Sequence, residues 1–307
     1  MKHLLSIEAL TGDEIAGIVA LGIKLKAGRY LFAERPLAGQ CWALIFSKAS
    51  TRTRVSFEVG IRELGGDVMF LSANDIQLGR GEPIKDTARV MGRMLGGAVI
   101  RTFAQSDVEQ FAEYSCIPTI NALTDDEHPC QILADLQTIK EKLGNYAGRK
   151  VCFIGDGACN VARSWIWAAA RCGFELAIAA PVNYQPDAAL LDAVKAAGGK
   201  VWVTPDPQEA ARGAEVLYTD VWVSMGKEEE AAFRIAQLSG YQINRDLVAA
   251  AVPGALVMHC LPAYRDKEIT DEVFEEHART IFDEAENRLH AQKAVLWMLN
   301  EARRMGD

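Results

Sequence analysis

Ser50-Thr51-Arg52-Thr53-Arg54 gathers two guanidinium groups and three hydroxyls in five residues. Ahead of it, Cys41–Phe46 is an apolar run long enough for one buried strand. Behind it, Val55, Phe57, Val59, Ile61 and Leu64 fall at helical spacings until Gly65-Gly66. The order predicts a strand, a turn and a helix capped by Ser50. The first amides of such a helix lack intrahelical acceptors and sit at the positive end of its dipole. With the arginines added, this helix mouth is suited to a phosphate. The plainer reading is an Arg54–Glu58 pair one turn apart, with hydroxyls that only cap.

Other reactive types recur at the ends of predicted strands. Arg101 and Thr102 follow the apolar run 98–100, and His128-Pro129-Cys130-Gln131 opens a predicted helix over 132–143. Taken alone, Arg101 reads as a rim salt bridge and His128 as an ordinary helix-start histidine, although an arginine and an imidazole N–H can both donate to a carbonyl oxygen that gains charge, which needs no metal. Asp220 opens the segment 220–226 after a predicted strand, and by themselves these residues read as a strand end followed by a turn at Ser224 to Gly226. Cys260, in His259-Cys260-Leu261-Pro262, reads by itself as an inert thiol. Gly155-Asp156-Gly157-Ala158-Cys159-Asn160 sits at a strand-to-helix turn, yet its sixth position is Asn160, so the dinucleotide fingerprint is absent.

The elements that must position these groups alternate. A helix is predicted over 4–33 with Leu10-Thr11-Gly12-Asp13-Glu14 as its start signal, and strands over 67–71 and 118–121. The polar, glycine-bearing segment 72–85 reads as a long loop. Ser106 and Glu109 are spaced as a capping box. The pattern pauses over 144–150 and restarts with strands at 151–155, 175–179, 200–203, 215–219 and 255–259. Helices are predicted over 161–171, 186–197 and around 228–238, and a last amphipathic helix over 287–304. This is an α/β chain of two doubly wound domains, each with a mostly parallel sheet, 1–143 and 144–286. Ligands of such sheets gather beyond the carboxyl ends of the strands.

Composition narrows the classes further. The chain has 307 residues, enough for two domains, and a net charge of −8 that argues against a general nucleic-acid binder. Its seven cysteines form no CxxC pair and no zinc spacing, which suits a reducing compartment. With no apolar leader core and no stretch long enough for a bilayer, the expected place is the cytoplasm.

The motifs in order resemble those of the aspartate and ornithine carbamoyltransferases: Ser50–Arg54, His128-Pro129-x-Gln131, His259-Cys260-Leu261-Pro262, and Glu286-Asn287-Arg288-Leu289. Asp220-x-x-x-Ser224-Met225-Gly226 resembles the ornithine-using members, whereas an acceptor such as putrescine or an acylated ornithine is the alternative. Family members commonly carry two consecutive asparagines where this chain has Cys159-Asn160. The resemblance implies transfer of a carbamoyl group from carbamoyl phosphate to the side-chain amine of L-ornithine, as in arginine biosynthesis. It implies no metal and no organic cofactor, a homotrimer with shared sites, and a C-terminal helix, 287–307, packing back on the first domain. Carbamoyl phosphate would be held by Ser50, Thr51, Arg52, Thr53, Arg101, His128, Gln131, Cys260, Leu261 and Arg288, with Gln77 contributed by a neighbouring subunit. Ornithine would be held by Asn160, Asp220, Ser224 and Met225. Arg101, His128, Asp220 and Cys260 are the expected catalytic set, with no covalent intermediate on Cys260.

Overall fold

The apolar runs become parallel strands in two separate sheets. The computed structural model describes every residue except Phe32, 73–80, Ser224, Met225, Lys227 and Asp307. One unit comprises Met1–Gln137 with Asn287–Asp307, the other Thr138–Glu286. The sequence pattern pauses a few residues later, at 144–150, because the division falls inside a helix, where hydrophobic periodicity continues unbroken.

In the first unit, α1 (Gly12–Ala27) precedes β1 (Cys41–Phe46), α2 (Thr51–Glu63), β2 (Asp67–Ser72) and α3 (Ile84–Met91). β3 (Gly97–Arg101), α4 (Gln105–Ser115), β4 (Thr119–Leu123) and α5 (Pro129–Leu143) follow. The sheet order is β2-β1-β3-β4, all parallel. β1 and β3 are buried along nearly their whole length, as central strands covered on both faces must be. Edge strand β2 is more exposed, with Asp67 and Met69 facing solvent. Gly97 is needed where β3 passes β1, because a Cβ there would come within 2.5 Å of the Trp42 ring.

The second unit alternates β5 (Lys150–Ile154), α6 (Asn160–Cys172), β6 (Glu175–Ala179), α7 (Ala188–Ala196) and β7 (Lys200–Thr204). It continues with α8 (Pro207–Ala211), β8 (Val216–Thr219), α9 (Ala231–Leu238), α10 (Arg245–Ala250), β9 (Leu256–His259) and α11 (Asp271–Gly306). Its sheet is parallel in the order β7-β6-β5-β8-β9. Each sheet therefore reverses its winding once, between β1 and β3 and between β5 and β8. A loop leaving each strand of such a pair turns to an opposite side of the sheet, which opens a crevice at their carboxyl ends.

Several expectations are corrected. The helix predicted over 4–33 begins only at Gly12, where Thr11 and Glu14 form a capping box, and ends at Ala27. Leu4 is instead extended beside β4, its N–H donating to the Thr119 carbonyl at 2.9 Å and its own carbonyl accepting from Asn121 at 2.7 Å. The capping box at Ser106 and Glu109 does not form. α4 starts two residues earlier, with Ala104 as N-cap and no side-chain cap. Gln105 is drawn inward there, donating to the Leu5 carbonyl at 3.2 Å and accepting from Thr124 at 2.8 Å. The last helix is twice the expected length, 36 residues or ~54 Å. Its first half buries Val273, Phe274 and Ile281 in the core of the second unit. Its second half returns to the first unit through Asn287 with Lys26 (2.8 Å), Lys293 with Glu63 (2.6 Å) and Asn300 with the Pro36 carbonyl (2.8 Å). The short helices α8 and α10 were not expected, since one turn and a half carries too little periodicity to read.

Candidate active site

One candidate site, in the first unit, lies at the winding reversal between β1 and β3. Phe46 and Arg101 are register partners at the ends of these strands, so the turn into α2 starts beside Arg101. Ser50 caps α2 as expected, with extended backbone and Oγ accepting from the Thr53 amide at 3.3 Å. Thr51 and Arg52 are exposed at the mouth, and Thr53 is buried. Arg54 follows the plainer reading: it donates to Glu58 at 2.7 Å and lies over the Phe70 ring at 3.7 Å.

Arg288 brings three helices together. From α11 it donates to Gln131 Oε1 on α5 at 2.7 Å and to Thr53 Oγ1 on α2 at 3.3 Å. With the Gln292 amide turned to satisfy its neighbours, that oxygen accepts from Arg288 Nε at 3.1 Å and from Nη2 at 3.0 Å. All these acceptors are neutral, so the bonds aim the guanidinium without cancelling its charge. Arg101, His128, Gln131 and Arg288 are each nearly fully buried. Burial, then the charges of Arg288 and Arg101, hold the His128 imidazole well below its ordinary pKa. A neutral imidazole between two arginines is an N–H donor that costs no further positive charge.

The second unit has its own candidate site, at the reversal between β5 and β8 and its neighbour β9. Thr219 and His259 are register partners, so the next residues, Asp220 and Cys260, leave adjacent strand ends together. Cys260 Sγ donates to Asp220 Oδ1 at 2.9 Å, and the Val221 amide donates to the same oxygen at 2.7 Å. Burial raises the Asp220 carboxyl above its ordinary value, with those two hydrogen bonds opposing. Asn160 is the first residue of α6, its Oδ1 accepting from Val161 at 2.9 Å, and Cys159 caps the helix through Sγ. Gly157 must be glycine: a Cβ would meet Ile178 at 2.9 Å and the Tyr184 carbonyl at 3.1 Å.

Ligand atoms of Asp220, His259 and Cys260 lie within 4.8 Å of one another, the one such cluster among the described residues. A cation would have to displace existing bonds, since His259 Nδ1 accepts from the Leu261 amide and Nε2 faces Glu268. The set reads as hydrogen-bonded protein and not as a prepared metal site.

A profile of the aspartate/ornithine carbamoyltransferase carbamoyl-P binding domain matches residues 2–141, and one of the Asp/Orn binding domain matches 147–299. The chain belongs to the aspartate/ornithine carbamoyltransferase family. An ornithine carbamoyltransferase of Akkermansia muciniphila is 61% identical over 99% of this chain and all of its own length. One of Methanoculleus marisnigri is 50% identical over 96% of each. The crystal structure of the anabolic ornithine carbamoyltransferase of Campylobacter jejuni superposes with a TM-score of 0.93 at 42% identity, covering 98% of this chain and 100% of that one. That of Pyrococcus furiosus gives 0.90 at 44% identity, over 96% of both chains.

Within this family frame, each of the two candidate sites falls in one of the two matched domains. Thr53, Gln131 and Arg288 are joined directly, and Arg101 and Ser50 stand at neighbouring strand ends. Cys260 and Leu261 lie in the second unit, beside Asp220. Gln77, Ser224 and Met225 lie outside the described residues. Three buried polar residues were missed by sequence reasoning. Lys48, just ahead of Ser50, pairs with Asp125 and lies over the Phe103 ring at 4.3 Å. Gln292 orients Arg288. Arg234 on α9 pairs with Asp156 and donates to the Trp222 carbonyl at 2.8 Å. A lysine two residues after the apolar run 41–46 was the one available signal; the other two look like ordinary surface positions of a helix.

Proposed function

We propose that the chain transfers the carbamoyl group of carbamoyl phosphate to the side-chain amine of L-ornithine, giving L-citrulline and phosphate. The carrying observation is the convergence of Thr53, Gln131 and Arg288 beneath the capped mouth of α2. That arrangement supports an anion on the free amides, with Ser50, Thr51, Arg52 and Thr53 holding the phosphate. Arg101, His128 and Gln131 address the carbamoyl oxygen and amide. As the amine attacks the carbonyl carbon, negative charge grows on that oxygen, and positioned donors stabilise it. Arg288 and Arg52 favour departure of the phosphate. Asp220, Asn160, Ser224 and Met225 hold the amino acid, and the Asp220 carboxylate sets the preference for a cationic acceptor. Cys260 orients without forming a covalent intermediate, and Cys260 and Leu261 also serve carbamoyl phosphate by family likeness.

A citrulline assay with a panel of ornithine, putrescine, N-acetylornithine and aspartate tests this reading. Product from ornithine alone is the expected result; product from aspartate or putrescine with none from ornithine overturns it. The same reading extends to a cytoplasmic homotrimer in which Gln77 serves the next subunit. Mixed oligomers of nearly inactive Gln77→Ala and Asp220→Ala chains then regain activity, whereas hybrids no better than the parents refute the sharing.

A further inference from the structure

His259 and Glu268 are both fully buried, and neither has a role in the reaction as described. His259 ends β9, where its backbone N–H donates to Glu284 Oε2 at 2.9 Å. Its ring spans two other groups. Nδ1 accepts from the Leu261 amide at 2.9 Å, and Nε2 stands 3.1 Å from Glu268 Oε1. An amide N–H requires a lone pair on Nδ1, so the ring proton belongs on Nε2, turned to the carboxylate. The same Oε1 accepts from the Tyr264 amide at 2.6 Å. Glu268 is itself held by its backbone, whose carbonyl accepts from Ile243 at 2.8 Å. A chain of bonds thus runs from Glu268 through His259 to the amide next to Cys260.

That amide needs holding. Leu261 has φ 56°, a left-handed conformation that a leucine adopts only when its surroundings enforce it. Rotation of the Leu261 backbone would swing Cys260, whose thiol donates to Asp220 at 2.9 Å. We propose that Glu268 is a positioning residue for the amine half of the site: it fixes the His259 ring, the ring fixes the Leu261 amide, and the amide fixes the Cys260 thiol on Asp220. The kinetic consequence rests on ornithine being the acceptor, as proposed above. The geometric consequence does not.

Two measurements separate these. In the Glu268→Leu variant the KM for ornithine rises about tenfold or more while the KM for carbamoyl phosphate rises no more than about threefold, since of the residues that hold the phosphate only Cys260 and Leu261 are disturbed. Alkylation of Cys260 by iodoacetamide, read by peptide mass spectrometry, quickens about threefold or more as the thiol leaves its carboxylate. Glu268→Gln keeps an oxygen for both N–H donors and stays within about threefold of wild type in both measurements. If the single leucine variant does not fold, His259→Phe with Glu268→Leu replaces both polar partners by apolar groups and shows the same two changes. Melting-temperature loss with unchanged ornithine KM and unchanged Cys260 alkylation overturns the proposal and leaves Glu268 a structural residue only. Wild-type enzyme that makes no citrulline, combined with the expected alkylation changes, refutes the acceptor and not the positioning.

Discussion

The two candidate sites, one in each unit, sit at equivalent places in their sheets, yet they are built from opposite materials. In the first unit, the buried Arg288 is aimed by neutral oxygens of Gln131, Thr53 and Gln292, and burial with the charges of Arg288 and Arg101 keeps His128 neutral. In the second, a carboxylate and a thiol lean on each other through one hydrogen bond, and burial works against the ionised Asp220. The difference follows from what each must meet. A doubly charged phosphate rewards positive charge held rigidly before binding. A cationic amino acid rewards a carboxylate that becomes comfortable only when the cation arrives. The first half is pre-organised by cross-helix ties; the second carries a built-in strain that substrate relieves.

The sharpest way to break this contrast is Asp220→Asn. Loss of the partner for a charged acceptor lowers kcat/KM for ornithine by about two to three orders of magnitude. The melting temperature of the ligand-free protein rises at neutral pH, because a carboxyl whose pKa is raised on folding opposes folding wherever it is ionised. A fall in melting temperature on this substitution would show that Asp220 stabilises the empty protein, against the contrast drawn here.

Arg52→Ala probes the other half. Its exposed guanidinium makes no tie to the core among the described residues, so carbamoyl phosphate affinity falls by about 2–3 kcal/mol, the worth of a charge-assisted contact, with the melting temperature unchanged. Wild-type affinity by calorimetric titration removes the helix mouth from the site.

A smaller effect separates the halves by pH. The His128 pKa is depressed by folding, so below about 6.5 the unfolded chain binds the proton that the folded one refuses. Stability contributed there is present above the unfolded pKa and is lost as pH falls below it. Melting temperatures measured from pH 7 down to pH 5 decline, and His128→Gln flattens part of that decline. Asp220 gives the reverse sign, its raised pKa making the folded state bind the extra proton. The smallest change belongs to Arg54→Gln. Paired with Glu58 and stacked on Phe70, Arg54 lies outside the cradle, and activity stays within about threefold. A loss as deep as that of Arg52→Ala would return it to the phosphate site.

The sequence by itself determined the alternation of strands and helices, the Ser50 cap, and the placement of polar residues at strand ends. Each is written in local spacing: a period of two or 3.6, a hydroxyl before a helix, a charged residue after an apolar run. It also determined the family, through motifs whose order survives in one line of text. Only the tertiary structure decided which groups meet. That Arg288 joins Gln131 and Thr53 depends on a 36-residue helix whose first half is built into one unit and whose second half returns to the other. Half of that helix was invisible, since half of the residues of Asp271–Glu286 are charged and the buried Val273, Phe274 and Ile281 face a core that the pattern alone does not reveal. The Ser106–Glu109 spacing was legible and misleading, because the inward pull on Gln105 outweighed a surface cap. Glu268 and Arg234 are ordinary letters in polar stretches. Their burial against His259 and Asp156 arises from contacts across the fold, where the cost of burying a charge is met by a specific partner and not by anything adjacent in the chain.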